Sequence, residues 1–346
     1  PSGTLTPELL EEMRSRKAEI LKCLHKTQIQ PICPAARNGD LALSFAQQRI
    51  WFLEQMGDKS AVYNLAGALK IEGTLDVAAL EQSLREIIQR HEILRTNFAI
   101  ANGQPTQVIS PSWNFTLPVV DFRSLPVADR EVEMQRLISA EQERPFDLTQ
   151  GALWRWKLLQ LDRNEYFLLV VIHHIIADAW TFAVIFRELQ ALYTAFASGK
   201  PSPLPDLPIQ YADFAVCQRQ RSPKEVLETE LSYWQQQLDG APTVLQLPSR
   251  PRPPVQTYRG ATQVFTLPSS LTAALKSVSQ QAEATLFMTL LAAFNILLHR
   301  YTGAIDILVG SPIANRDRAE TESLVGFFVN TLVLRTDLSG NPSFRE

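Results

Sequence analysis

The run Tyr166-Phe-Leu-Leu-Val-Val-Ile172 leads directly into His173-His-Ile-Ile-Ala-Asp-Ala-Trp180. An uncharged apolar run of this length reads as a buried strand, and it ends in the only pair of adjacent histidines in the chain. Two imidazoles and a carboxylate at the carboxyl end of a strand form a compact unit. One histidine can face a substrate while the aspartate fixes the local backbone. Neighbours along a strand point to opposite sides, so of the two histidines His173 is assigned to the buried side and a structural role.

Helices and strands alternate outward from this unit, which is an α/β pattern over residues 41–198. Ser44-Phe-Ala-Gln-Gln-Arg-Ile-Trp-Phe-Leu53 reads as an amphipathic helix. Asp76 starts another, with Leu80, Leu84, Ile87 and Ile88 on one face, leading into Arg90-His-Glu-Ile-Leu-Arg-Thr-Asn-Phe98. Strands are expected at 152–161 and 165–172 and a helix at 181–198. The proline-rich residues 199–210 break regular structure and mark a crossover to a second half, 211–346. There a helix is expected at 223–238, then a strand and a long helix ending near Tyr301. Phe265-Thr-Leu-Pro-Ser-Ser-Leu-Thr-Ala-Ala-Leu faintly echoes Leu69-Lys-Ile-Glu-Gly-Thr-Leu-Asp-Val-Ala-Ala-Leu, as two similar subdomains would.

The 346 residues exceed what one hydrophobic core usually supports, and 45% hydrophobic with 20% charged content is that of a globular protein. A net charge of -3 with interleaved signs argues against nucleic acid and anionic membrane as partners. The sequence has no run of transmembrane length and no signal-peptide layout. Cys23, Cys33 and Cys217 are scattered, without metal-ligand spacing, as suits a reducing, cytoplasmic compartment. Residues 1–25, with Thr6 as N-cap and Pro7 at the first helical position, read as helical and in need of a docking surface. Residues 26–40 read as a linker.

Five separated segments, taken together, resemble the condensation domains of nonribosomal peptide synthetases. They are residues 44–55, residues 90–98, the histidine motif 173–180, Tyr211-Ala-Asp-Phe-Ala-Val-Cys-Gln218 and Val325-Gly-Phe-Phe-Val-Asn-Thr-Leu332. The resemblance implies an α/β (α+β) fold of two chloramphenicol-acetyltransferase-like subdomains in a V-shaped pseudo-dimer, the second C-terminally incomplete, with a substrate tunnel between them. Residues 1–25 are similar to the later part of a tubulysin-type docking domain, which implies recognition of an upstream synthetase tail. The implied partners are upstream and downstream carrier proteins and an adjacent adenylation domain. No cofactor is bound directly; the substrates ride on the 4'-phosphopantetheine arms of the carriers.

By position, the resemblance makes His174 the tunnel histidine, which could accept the ammonium proton, hold the amine for attack or hydrogen-bond the tetrahedral intermediate. The sequence leaves these roles open. Asp178 could orient His174, but the resemblance favours a structural pair with Arg95. Glycine is expected where Ala179 stands; if the backbone needed a positive φ there, the extra Cβ would strain the loop. Trp180 is expected to pack beneath the loop. Asn330 either lines the tunnel or satisfies buried backbone groups.

His91, beside Glu92, reads as a packing or capping histidine. Zinc at His173, His174 and Asp178 is disfavoured because adjacent strand residues point apart and no other ligand cluster is present. Neither a nucleophile elbow nor a phosphate-cradling glycine loop occurs. The expected activity is amide formation between carrier-bound substrates. Alternatives are a related ester-forming acyltransferase, an epimerase-like relative and, in a different class, an inert condensation-fold platform for recruitment.

Overall fold

The computed structural model describes residue 16 and residues 31–57, 61–221, 224–248, 260–340 and 342–345. The expected docking segment, residues 1–25, lies outside these except for Arg16. In chain order the elements are β1 (Leu41–Ala42), α1 (Phe45–Met56), β2 (Asn64–Glu72), α2 (Val77–Arg90), β3 (Thr96–Ala101), β4 (Gln104–Ile109), β5 (Val119–Asp121), α3 (Val127–Glu143), β6 (Trp154–Asp162) and β7 (Glu165–His173). They continue with α4 (Ala179–Phe196), α5 (Tyr211–Gln220), α6 (Lys224–Gln237), α7 (Ser269–Gln281), α8 (Leu286–Thr302), β8 (Asp306–Ile313), α9 (Ala319–Glu322) and β9 (Asn330–Asp337). Short 3₁₀ turns occupy Glu92–Arg95 and His174–Ile176.

The apolar run becomes β7, an inner strand of a sheet ordered β2-β7-β6-β5, in which only β5 and β6 run parallel. Leu168, Val170 and Ile172 face one side, Leu169 and Val171 the other, and all five are buried. Burial on both faces explains why this strand reads as a continuous apolar run rather than an alternation. On the first face α4 lays Phe182 across Gly67 of β2, where a Cβ would come within 3.0 Å of the phenyl ring. On the other, Glu141 of α3 pairs with Arg155 at 2.9 Å and Lys157 at 2.7 Å.

A second sheet, β1-β4-β3, is built on a hairpin whose tip is Asn102-Gly103, both at positive φ (52° and 74°). An Asn-Gly pair supplies the two left-handed residues that a two-residue hairpin turn requires. The expected linker 26–40 is described from residue 31 onward. It has no regular structure there, but it is strapped to the domain: Ile32 is buried, Ala35 N–H donates to Asp213 at 2.8 Å, and Arg37 pairs with both Asp213 and Glu92.

The second half is barer. Strands β8 and β9 form an isolated antiparallel pair, and α8 leaves Phe287, Met288, Leu290, Phe294, Leu297 and Tyr301 exposed. The strand expected near Phe265 does not form. Residues 260–268 have no ladder partner, and Val264 and Phe265 are exposed, so the echo of the β2 to α2 unit is limited to its helix. The helix α5 belongs to the second half by sequence, yet it packs on the first: Gln218 accepts from Phe45 N–H at 2.9 Å and Arg219 donates to Leu43 O at 2.9 Å. No single described helix is long and apolar enough to cross a membrane.

Candidate active site

Strand β7 delivers the histidine pair to its end, and three local devices turn the chain there. His174 N–H donates to Tyr63 O at 2.8 Å, the buried Gln47 of α1 donates to Ile175 O at 3.2 Å, and Asp178 caps α4 by accepting from Thr181 N–H at 3.0 Å. Thr181 Oγ1 in return accepts from Asp178 N–H at 3.2 Å, closing a capping box.

The two imidazoles diverge as strand geometry requires. His173 is 1% exposed, between Tyr63 and Phe146; its Nδ1 accepts from Ile175 N–H at 3.2 Å and its Nε2 lies 3.8 Å from Glu54. Burial pushes its pKa below the ordinary histidine value, and Glu54 offsets only part of that. His174 is half-buried. Its Nδ1 lies 2.8 Å from Ala177 O, and because a carbonyl only accepts, Nδ1 carries a proton, which in the neutral ring leaves the lone pair on Nε2. The ring meets Phe327 edge-on, with centroids 4.7 Å apart.

Asp178 does not touch Arg95. Its partner is Arg316, whose Nη2 lies 3.2 Å from Oδ1 and 3.4 Å from Oδ2, with both side chains buried. Arg95 sits in the 3₁₀ turn after α2, where its Nη1 donates to Ser110 O and its Nη2 to Gln89 O. Arg316 comes from the loop after β8. It also donates to Thr321 O and Leu324 O and lies 4.0 Å from the Phe328 ring centre. Burial drives its pKa down, against the pull of Asp178.

Residues 321–328 thus cross from the second half onto the first and are bonded along their length. Phe328 N–H donates to Asp178 Oδ2 at 3.1 Å, Gly326 N–H to Thr181 Oγ1 at 3.2 Å, and Val325 N–H to His91 Nδ1 at 3.5 Å. His91 Nε2 in turn reaches Glu188 Oε2 at 2.8 Å, so this histidine is structural, as its sequence context indicates. Burial pushes the Glu188 carboxyl up, but His91 and Arg90 hold it below its ordinary value. The buried Tyr211 hydroxyl bonds Phe327 O at 2.6 Å and Ser44 Oγ at 2.8 Å, and burial raises its pKa above the ordinary phenol value.

Three further expectations change. Ala179 begins α4, is exposed and is not among the positive-φ residues, so its Cβ strains nothing. Trp180 is 41% exposed rather than packed beneath the loop; its indole N–H donates to Glu322 O at 2.9 Å, because α4 turns it outward toward α9. Asn330 is exposed, and among the described residues its side chain accepts from Thr331 N–H at 2.9 Å and serves no buried backbone group. Sequence reasoning missed Arg316, which lies in none of the five segments. It also passed over Tyr211, Gly326 and Phe327, which lie within them.

Comparison with known proteins agrees with this architecture. The family model described as Condensation domain matches residues 37–346. A linear gramicidin synthase polypeptide of Brevibacillus parabrevis is 50% identical over 340 residues, which are 98% of this chain and 6% of that protein. The X-domain from teicoplanin biosynthesis superposes with a TM-score of 0.78 at 31% identity, covering 91% of this chain and 70% of that one. The first condensation domain of the calcium-dependent antibiotic synthetase, at 24% identity, TM-score 0.75 and coverage of 89% and 72%, shares the fold. The chain therefore spans a small part of the synthetase it matches and about two thirds or more of the solved domains. With its chloramphenicol-acetyltransferase-like fold, it belongs to the condensation-domain family of nonribosomal peptide synthetases.

Proposed function

We propose that this chain joins an acyl or peptidyl thioester on an upstream carrier to the amine of an aminoacyl group on a downstream carrier, with His174 as the proton-transfer residue. The observation that carries this reading is the His174 to Ala177 hydrogen bond, which fixes the tautomer so that the Nε2 lone pair is the ring's free base. The amine nitrogen attacks the thioester carbonyl and its proton passes to Nε2. Collapse of the tetrahedral intermediate then breaks the carbon–sulfur bond, and the proton goes to the departing thiolate of the 4'-phosphopantetheine arm. General-base help of this kind contributes about 10²- to 10⁴-fold.

His173 and Asp178 support the site without touching the reacting atoms in this reading. His173 is buried, and Asp178 spends its carboxylate on Thr181, Arg316 and Phe328. Arg95 and Trp180 donate to backbone carbonyls, and Ala179 opens α4. Asn330, exposed at the start of β9, is available to the substrate channel. Free Cys33 and Cys217 suit a cytoplasmic reaction.

The test is single-turnover amide formation by the intact protein with acyl-loaded and aminoacyl-loaded carriers, beside His174→Ala. Product that disappears with the histidine supports the reading. A folded parent that binds both carriers and forms no amide supports a recruitment platform instead; the teicoplanin X-domain, solved in complex with OxyB, motivates that alternative.

A further inference from the structure

The contact between His174 and Phe327 joins the two halves at the proposed base, and it rests on more fixed points than packing alone needs. The Phe327 side chain is 3% exposed and meets the imidazole at an interplanar angle of 63°. Its own carbonyl is held by the Tyr211 hydroxyl at 2.6 Å. The residue before it, Gly326, lies so close to Tyr211 that no side chain fits: a Cβ would stand 2.0 Å from Tyr211 Cδ2. The residue after it is tied through its N–H to Asp178. Phe327 therefore has little freedom to move away from the histidine.

A single hydrogen bond at Nδ1 leaves the imidazole some freedom in its side-chain torsions, broadest at χ2. An aromatic edge against the ring restricts that freedom, because such pairs have a preferred geometry as well as buried area. Given the proposed role of His174, we infer that Phe327 is a positioning residue: it aims Nε2, and Tyr211 sets Phe327 through its carbonyl. The aim of Nε2 is thus set by the second half, although the histidine belongs to the first.

The test uses Phe327→Leu in the intact protein, which fills most of the volume without supplying a ring edge. Misplacement of a reacting group by about 1 Å can cost on the order of a hundred-fold in rate. The expected result is a fall in kcat of about ten- to a hundred-fold with KM for the loaded carriers nearly unchanged and a melting temperature close to that of the parent. Carbethoxylation of His174 by diethyl pyrocarbonate, followed by peptide mass spectrometry, should speed up several-fold. This readout needs no turnover; because loss of the ring also uncovers the imidazole, it counts only together with a fall in kcat at unchanged KM.

Unchanged kcat and unchanged His174 reactivity in a folded Phe327→Leu protein would overturn the inference, as would a loss of kcat explained by the unfolded fraction. Should Phe327→Leu fail to fold, Phe327→Met is judged by the same criteria. If His174→Ala keeps its activity, the proposed base role falls; if it loses activity while Phe327→Leu keeps the parent's kcat, the base role stands and the positioning falls.

Discussion

Replacing Gly326 with alanine tests whether the crossing segment is fitted to the first half as closely as the structure indicates. The new Cβ would lie 2.0 Å from Tyr211 Cδ2, 2.6 Å from Tyr211 Cε2 and 2.9 Å from Phe328 Cε2. Carbon atoms prefer separations of about 3.5 to 4.0 Å, so something must move by more than an ångström. The tyrosine ring cannot turn aside cheaply, because it is 1% exposed, packs on Phe328 with centroids 4.9 Å apart and anchors two hydrogen bonds. Overpacking costs about 1 to 3 kcal/mol and each lost hydrogen bond about 1 kcal/mol, which gives about 3 to 5 kcal/mol in all. At about 2 to 4 °C per kcal/mol, the melting temperature should fall by roughly 10 °C.

Urea and thermal unfolding of the parent, Gly326→Ala, Tyr211→Ala and the double variant close a cycle. With the tyrosine ring gone the added methyl has room, and its cost should drop below about 1 kcal/mol. A single Gly326→Ala variant within about 1 kcal/mol of the parent would refute the close fit. An equal penalty in both backgrounds would show that Tyr211 is not what excludes the side chain.

Arg316→Met should cost about 3 to 5 kcal/mol, because it leaves the Asp178 carboxylate buried without its counter-ion, whereas Arg95→Met strands two carbonyls and should cost about 1 to 3 kcal/mol. Urea midpoints that reverse this order would restore Arg95 as the partner of Asp178. Because burial lowers the folded-state pKa of His173, the unfolded chain binds the extra proton first. Stability is therefore fully present above about pH 6.5 and is lost as pH falls from there toward the folded-state value. His173→Gln should flatten that slope between pH 7.5 and 5.5, and an unchanged slope would assign it to other groups. Ala179→Gly, at an exposed first helical position, should change amide-forming rate by less than about two-fold and stability by under about 1 kcal/mol; a large gain in rate would mean that the alanine does strain the motif.

What the sequence disclosed follows from what each signal encodes. Strand β7, the starts of the helices at Ser44 and Asp76 and the start of the helix after Asp178 rest on local periodicity, and each lies within a residue or two of its expected place. The hairpin of β3 and β4 was also legible in Asn102-Gly103, since the turn needs those residue types, but the dipeptide was passed over. Asp178 and Arg316 are 138 residues apart, and no local rule connects a carboxylate at an N-cap to an arginine in a distant loop. The orientation of Trp180 was equally hidden. A large aromatic beside a buried motif reads as core, whereas its helical position and a backbone carbonyl on α9 turn it outward. The stretch near Phe265, expected as a strand, shows the same limit, because its apolar pattern is local but a ladder partner is not.

The division of labour between Asp178 and His174 has a chemical consequence. In a triad of the serine-protease kind, the acid binds the histidine's Nδ1–H and compensates the charge of the imidazolium. Here Nδ1–H meets the carbonyl of Ala177, which orients the ring without supplying a counter-ion, and Asp178 is committed to Thr181, Arg316 and Phe328. A nucleophile activated ahead of attack needs a base that holds its proton. An amine attacking a thioester does not, since its proton need only leave as the carbon–nitrogen bond forms and can then pass to the departing sulfur. A histidine oriented by a neutral group suits that brief relay, provided its aim is fixed by other means. The edge of Phe327, carried on a segment welded to the first half through Asp178, Thr181 and Tyr211, supplies the aim. In the proposed reaction the aspartate of the motif therefore serves the histidine indirectly, through the position of the crossing segment.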